Sequence, residues 1–204
     1  MTLALALRHL RHYGLASLIF VSVLVALAGC SNEKPVFTGS DISGTHLGRG
    51  LSLTGMDGKH YTDHSFEGKV TLVFFGFTQC PDVCPTTLAE LAEVLKQLGD
   101  QANKVQMLMI TVDPERDTPE VLTAYIKAFD DRILGLTGTP ADIKQVAGLY
   151  KAYYAKVPQA NGQYTMDHSA SFYLFDKKGE SRVLLQNNSG VAAIIKDLTT
   201  LLAE

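Results

Sequence analysis

The sequence predicts a single α/β domain, with a mixed, mostly parallel sheet covered by helices on both faces and an N-terminal β-hairpin. Short apolar runs alternate with segments in which apolar residues recur at helical spacing, from about residue 70 to residue 150. The chain then closes with two short strands and an amphipathic helix. Its 204 residues, 46% hydrophobic and 19% charged, are typical of one packed domain and exclude disorder and coiled coil.

The first predicted element is the hairpin, in which Gly-Met-Asp-Gly separates short strands at 51–54 and 59–61. Residues 70–75, Val-Thr-Leu-Val-Phe-Phe, are too continuously apolar for an edge strand and predict a strand buried on both faces. A helix is predicted from about Pro85 to Leu98, because its leucines recur at helical spacing.

The rest of the domain repeats the strand and helix pattern. Strands are predicted at 105–112, 133–136, 153–157, 171–176 and 182–186, and helices at 118–129, from Pro140 onward and from Val191 onward. The turn that follows residue 112 is predicted to end in an N-cap at Asp117 or Thr118. Met107 and Met109 alternate along a strand, which indicates core positions rather than metal ligands.

The N-terminus has the pattern of an export signal. Arg8 and Arg11 precede an apolar run at 15–28, which closes on Leu-Ala-Gly-Cys and is shorter than the roughly 20 apolar residues that span a bilayer. Leu-Ala-Gly-Cys resembles a bacterial lipobox, in which the cysteine is lipidated and becomes the mature N-terminus. We therefore predict a signal peptide at 1–29, a lipid anchor on Cys30, and a location in the bacterial cell envelope, facing the periplasm or the cell exterior.

A flexible tether is predicted between the anchor and the domain. Residues 30–44 are rich in Ser, Gly, Asn and charged side chains without periodicity, so we expect the domain itself to cover 45–204. The net formal charge of the chain is −3, and it contains no run of Lys or Arg. This charge distribution argues against nucleic acid as a partner.

The chemistry of the domain is predicted at Cys80-Pro81-Asp82-Val83-Cys84. The chain has three cysteines, too few for a disulfide scaffold, but these two lie where a buried strand ends and a helix begins. Backbone N–H groups and the positive end of the helix dipole stabilise a thiolate at such a position. The spacing also places both sulfurs on one face, close enough to share a metal ion or to form a disulfide.

Three motifs occur in order along the domain. They are Phe-Gly-Phe-Thr-Gln-Cys-Pro-Asp-Val-Cys-Pro-Thr-Thr-Leu at 75–88, Thr-Val-Asp-Pro-Glu-Arg-Asp-Thr-Pro-Glu at 111–120 and Asp-His-Ser-Ala at 167–170. This set resembles that of the Sco/SenC family, thioredoxin-like copper proteins of cytochrome c oxidase assembly. The resemblance covers about residues 45–203. Gln79 departs from the family pattern, in which many relatives carry His.

The resemblance implies a thioredoxin-like fold and copper held by Cys80, Cys84 and His168. Two soft thiolates suit Cu(I), and an added imidazole keeps the same site competent for Cu(II). Asp82 and Asp167, which adjoin these ligands in the sequence, are expected to orient them. Asp82 is also placed to cap the helix.

Three other residues have metal-binding side chains but a different expected role. Met166 lies near His168 and offers a thioether, yet we do not expect it to be a ligand. His60 and His64 lie in a hairpin and a turn without a helix to align them, so exposure to solvent is expected for both.

The resemblance implies a metallochaperone that delivers copper to the binuclear copper centre of cytochrome c oxidase or prepares that centre. Its expected partners are the copper-bearing subunit of the oxidase and a further copper chaperone or thiol reductant. The alternative is an enzyme, a thiol-disulfide oxidoreductase that forms a Cys80–Cys84 disulfide. Two features argue against it: the spacing is C-x3-C rather than C-x2-C, and no proline stands directly before the strand at Ser171, where that class of enzyme has its cis-proline. A zinc site of two cysteines and a histidine is a third hypothesis, which no acid or base pairing supports.

Overall fold

The computed structural model of this protein describes residues 35–160 and 162–204. The predicted signal peptide and the predicted lipidation site Cys30 lie outside the described residues. Within those residues, none of the helices has the length and apolar character needed to cross a membrane.

Ten strands occur in the described part of the chain. They are β1 (Ser40–Asp41), β2 (Ser52–Gly55), β3 (His60–Thr62), β4 (Val70–Gly76), β5 (Val105–Thr111), β6 (Ile133–Thr137), β7 (Tyr154–Pro158), β8 (Tyr164–His168), β9 (Ser171–Phe175) and β10 (Ser181–Gln186). Eight of them form one sheet in the order β1-β10-β9-β4-β5-β6-β2-β3, and β7 pairs with β8 in a separate two-stranded sheet.

Four α-helices accompany these strands. They are α1 (Val83–Leu98), α2 (Pro119–Lys127), α3 (Pro140–Tyr150) and α4 (Val191–Leu202). The apolar side chains of α1, α2 and α4 belong to one core, and those of α3 belong to a second core. The predicted arrangement of helices on both faces of the sheet is therefore confirmed.

The central strand β4 separates the two cores. All seven of its residues are buried, as predicted for a strand covered on both faces. Leu72 and Phe74 belong to the core with α1, whereas Val73 and Phe75 belong to the core with α3. This division follows from the two-residue period of a strand. Met107 and Met109 of β5 are fully buried, which confirms their predicted core positions.

The sheet is mixed, as predicted, but only two of its seven neighbouring pairs, β4 with β5 and β5 with β6, are parallel, so it is mostly antiparallel rather than mostly parallel. The other neighbouring strands pair antiparallel, including the predicted hairpin of β2 and β3. Parallel neighbours need a crossover connection, and α1 and α2 supply the two crossovers. The ends of β4 and β5 consequently meet at one edge of the sheet, beside the start of α1.

The last part of the predicted tether belongs to the folded domain. Thr38 and Gly39 donate their backbone N–H groups to the buried carboxylate of Asp197 in α4, at 2.6 and 2.9 Å. The next residues form β1, which pairs with β10. The predicted domain start at residue 45 is therefore too late. Two paired residues are too few to show a strand period, and the partners of this segment, β10 and Asp197, are far away in the sequence.

Candidate functional site

The two cysteines lie where β4 ends and α1 begins. Cys80 is in the connecting loop, and Cys84 is the second residue of α1, which starts two residues earlier than predicted. The backbone N–H of Cys84 donates to the Cys80 sulfur at 3.4 Å. Both thiols are free. The loop and the first turn of the helix thus bring the two cysteines into contact, although Cys80 itself precedes the helix.

His168 reaches this turn from the other side. Its Nε2 atom lies 3.9 Å from the Cys84 sulfur, although the two residues are 84 positions apart in the chain. Its Nδ1 atom lies 2.9 Å from the Ser169 carbonyl oxygen, which can only accept a hydrogen bond. Nδ1 is therefore the donor, and in the neutral ring the Nε2 lone pair faces Cys84. That tautomer is the one needed for metal binding through Nε2.

The strand that carries His168 was not predicted. We expected a loop before the strand at Ser171, whereas His168 is the last residue of β8. The edge of its ring contacts the Phe77 ring, with centroids 5.8 Å apart. Residues 164–168 contain mostly polar or half-buried side chains, so their sequence lacks the apolar alternation that identifies a strand.

The candidate ligands do not yet form a complete metal-binding set. Across residues 35–160 and 162–204, no three His, Cys, Asp or Glu side chains are grouped so that they hold a metal ion. Cys84 and His168 face each other, but the Cys80 sulfur accepts a hydrogen bond from the helix backbone. Binding by all three ligands therefore requires these side chains to come closer together, and the Cys80 sulfur keeps lone pairs for a metal while it accepts the hydrogen bond.

A small cavity adjoins Cys84 and His168. Its volume is about 10 Å³, and Phe74, Phe172 and Val83 contribute to its apolar walls. A single water molecule needs roughly 10–15 Å³ of such space. The cavity is therefore about the size of one water molecule.

Burial changes the acidity of Cys84 in the direction opposite to our prediction. We expected the helix N-terminus to favour a thiolate at this turn. The Cys84 side chain is only 1% exposed, and this burial raises the pKa of its thiol well above the usual value. A backbone hydrogen bond at Phe77 acts in the opposite direction but has the smaller effect. The loss of hydration therefore dominates the acidity of this sulfur.

Unequal reactivity of the two thiols is the expected result. Iodoacetamide should modify Cys80 at least about tenfold faster than Cys84 near neutral pH, because each unit of raised pKa lowers the thiolate fraction about tenfold. Mass spectrometry of the alkylated peptides measures both rates. The same reagent in denaturant serves as the control, since the two rates should then converge. Equal rates in the folded protein would contradict the burial argument.

A buried carboxylate supports the loop before Cys80, and our sequence analysis missed this role. Asp117 is 0% exposed and accepts hydrogen bonds from the Thr78 backbone N–H at 3.1 Å and from the Thr78 hydroxyl at 2.6 Å. The Thr111 hydroxyl at the end of β5 donates to the same carboxylate at 2.6 Å. Of the two predicted caps, Thr118 is the N-cap of α2. The available signal in the sequence was a polar threonine at or just after the end of each buried strand, Thr78 after β4 and Thr111 in β5.

The two acidic residues next to the ligands have exposed side chains. Asp82 is the N-cap residue of α1, as expected, but its side chain makes no capping hydrogen bond. Asp167 lies opposite Ala155 in the sheet of β7 and β8. The expectation that Asp82 and Asp167 orient the ligands stays a prediction.

The remaining metal-binding side chains lie as expected. Met166 is buried in the core that contains α3. His60 and His64 are exposed. The Nδ1 atom of His64 lies 2.6 Å from a Glu67 carboxylate oxygen, and this hydrogen bond raises the pKa of the histidine. The neighbouring carboxylates of Glu67 and Asp63 thus account for the raised pKa of His64.

A mixed sheet with helices on both faces, and a cysteine pair at the start of the helix after a central strand, define the class of thioredoxin-like proteins with a thiol site. The model of one family, SCO1/SenC, matches residues 40–203. This protein belongs to the SCO1/SenC family.

Individual relatives agree with this family. The mitochondrial protein SCO2 of Saccharomyces cerevisiae is 41% identical over 137 residues, which cover 66% of this chain and 46% of that protein. A solved structure of Bradyrhizobium japonicum ScoI with copper bound is 44% identical with a TM-score of 0.71, covering 76% of this chain and 99% of that chain. A SCO1/SenC family lipoprotein from Bacillus anthracis is 28% identical with a TM-score of 0.68, covering 83% of this chain and 100% of that chain. The chain spans about half the length of the first curated relatives it matches.

Proposed function

We propose that this protein is a copper metallochaperone that delivers copper to the binuclear copper centre of cytochrome c oxidase. The observation that carries the proposal is the 3.9 Å approach of His168 Nε2 to the Cys84 sulfur, with Cys80 on the adjoining turn. Two sulfur donors and one imidazole suit copper in both of its oxidation states. The similar Bradyrhizobium japonicum structure has copper bound, which supports copper as the metal.

Copper is the cargo of the proposed site, and the arrangement of its three ligands suits release. Cys84 and His168 already face each other, while the three side chains have to rearrange before they can hold one ion together. The free energy of that rearrangement reduces the net affinity, because only the surplus of a binding interaction contributes to affinity. Copper held in this way stays exchangeable with a partner protein.

We also propose that the domain is tethered to a membrane of the bacterial cell envelope through a lipid on Cys30, after removal of residues 1–29. The Bacillus anthracis relative is a lipoprotein, which supports this anchor. Because Thr38 and Gly39 are bonded to Asp197, the proposed tether is restricted to the residues before Thr38. Tethering of both partners in one membrane raises their effective concentration without a tight interface.

Loss of the gene in the source organism should lower cytochrome c oxidase activity when copper is limiting, and added copper should restore that activity. The physical reason is that a tethered carrier raises the local supply of copper at the oxidase subunit that binds it. Spectroscopic quantification of the oxidase and its oxygen consumption measure the effect. A strain that produces the Cys84→Ser protein is the matched control and should behave like the deletion. Normal oxidase in the deletion strain, with no second family member present, would refute the assembly role.

The unequal exposure of the two thiols supports a second candidate function, thiol-disulfide exchange. The partly exposed Cys80 thiolate would attack a disulfide of the partner and form a mixed disulfide, releasing one partner thiolate. The buried Cys84 would then attack Cys80, which forms the Cys80–Cys84 disulfide and releases the second partner thiolate. The partner is reduced by two electrons and this protein is oxidised by two. In that case an added thiol, rather than added copper, should restore oxidase activity in the deletion strain.

A further inference from the structure

Arg116 joins the two parts of the chain that carry the candidate ligands. Its Nη1 atom donates to the Gln79 side-chain oxygen at 2.9 Å and to the Tyr164 backbone oxygen at 3.0 Å. Gln79 directly precedes Cys80 in the loop between β4 and α1, which we term the cysteine loop. Tyr164 begins β8, the strand that ends at His168, and we term β7 and β8 the histidine hairpin. One guanidinium nitrogen therefore bridges the cysteine loop and the histidine hairpin.

The bridging guanidinium is itself held in place by Asp113. The Nε atom of Arg116 donates to the Asp113 carboxylate, and the Tyr164 hydroxyl donates to the same carboxylate at 2.9 Å. The side chain of Asp113 is 0% exposed, and that of Arg116 is 20% exposed. The guanidinium carbon also lies 3.8 Å from the centroid of the Tyr164 ring. Charge-assisted hydrogen bonds and stacking of this kind fix the orientation of an arginine more strongly than an exposed ion pair does.

The histidine hairpin depends on side-chain contacts for its position. Its two strands pair only with each other and are not hydrogen-bonded into the eight-stranded sheet, whose strand β4 leads into the cysteine loop. An ion pair between Lys156 and Glu115 also links the hairpin to the segment before α2, but both side chains are about half exposed. Ion pairs between such exposed side chains contribute little to stability. The partly buried contacts of Arg116 and Asp113 are therefore the stronger of these two polar links, beside the packing of Met166 in the core.

We propose that Arg116 is a positioning residue that holds His168 at copper-binding distance from Cys84. The inference rests on the proposed function, since it concerns the ligand set of the same site. Lysine cannot replace Arg116, because its ammonium lacks the planar fork that reaches Asp113, Gln79 and the hairpin backbone together. Without the bridge the hairpin moves away from the cysteine loop. Binding through the two thiols remains, while the contribution of the imidazole falls.

The first test compares copper binding by Arg116→Lys with that of wild type. The affinity for Cu(II) should fall roughly tenfold or more, the range found when residues that orient metal ligands are lost. The affinity for Cu(I) should change by less than about threefold, because the soft thiolates dominate Cu(I) binding. The Cu(II) paramagnetic resonance spectrum should lose its nitrogen coupling, as in His168→Ala. Arg182→Lys is the matched control, since Arg182 is 16% exposed and paired with Asp176 and Glu204.

A double-substitution comparison separates positioning of His168 from a general effect on the fold. In a His168→Ala background, Arg116→Lys should cause no further loss of Cu(II) affinity, because the ligand that it positions is already absent. A second loss of the same size in that background would overturn the proposal.

A copper-free readout keeps the proposal testable whether or not the protein is a copper carrier. Nuclear magnetic resonance of the apo-protein should show the contact between the Phe77 and His168 rings in wild type and Arg182→Lys, and its loss in Arg116→Lys. If Arg116→Lys does not fold, Gln79→Ala removes one hydrogen bond of the bridge at an exposed position and should weaken the same contact. An unchanged ring contact in a folded Arg116→Lys protein, or in Gln79→Ala where that variant is used, would overturn the positioning role. Failure of wild type to bind copper would refute the proposed function alone.

Discussion

Cys84→Ser should abolish tight copper binding, with a loss of Cu(I) affinity greater than about 100-fold, the upper end of what loss of a neighbouring residue costs a metal site. Its sulfur is the atom that faces His168, and its backbone N–H faces the Cys80 sulfur. Serine has a similar volume but offers a hard oxygen in place of a soft thiolate, which Cu(I) binds poorly. Cys80→Ser should have an effect of the same order. Titration of reduced protein against a competing Cu(I) chelator measures both losses.

His168→Ala is the matched variant for this experiment, because it removes the third proposed ligand and leaves both sulfurs. Cu(I) binding should largely remain, while most of the Cu(II) form should be lost, since imidazole matters more to the harder ion. Copper affinity that is unchanged in Cys84→Ser would exclude Cys84 as a ligand. A His168→Ala protein that binds Cu(II) as tightly as wild type would show that the three-ligand set is wrong.

Asp117→Ala should lower the free energy of unfolding by about 2–4 kcal/mol, because it removes three hydrogen bonds to a buried carboxylate. It should also weaken copper binding, since the loop that leads to Cys80 loses its connection to the end of β5. Denaturant unfolding and chelator competition measure the two effects. Asp142→Ala is the control, because Asp142 completes a capping box at the start of α3, away from the site. That variant should cost about 1 kcal/mol of stability and leave copper affinity unchanged.

The effect of Asp117→Ala should also depend on pH. Burial raises the pKa of Asp117, so the folded state binds this proton more tightly than the unfolded state does. The contribution of this group to stability is therefore fully present below its unfolded pKa of about 3.9 and is lost as the pH rises through the higher folded value. Wild type and Asp117→Ala should differ more in free energy of unfolding at acid pH than at neutral pH. A difference that grows toward neutral pH would contradict the raised pKa.

The helices and most strands were predictable because their patterns involve neighbouring residues. The buried β4 follows from a continuous apolar run, and α3 begins where Thr139 and Pro140 supply a capping box and a preferred first residue. By contrast, β1 and β8 were missed. Each is short and largely polar, and each is identified by a partner strand rather than by its own sequence.

The amino-acid sequence alone shows that Cys80 and Cys84 lie between a buried strand and the start of a helix, because an apolar run and a helix start are local patterns. Only the tertiary structure decided that Cys84 has a raised pKa, since that depends on how completely the rest of the chain excludes water from its sulfur. The approach of His168 to Cys84, across 84 residues, is likewise a property of the fold. Asp117 and Arg116 act through hydrogen bonds to segments 37 to 48 residues away. Desolvation and such distant hydrogen bonds exist only once the chain has folded around the site, so no local pattern reports them.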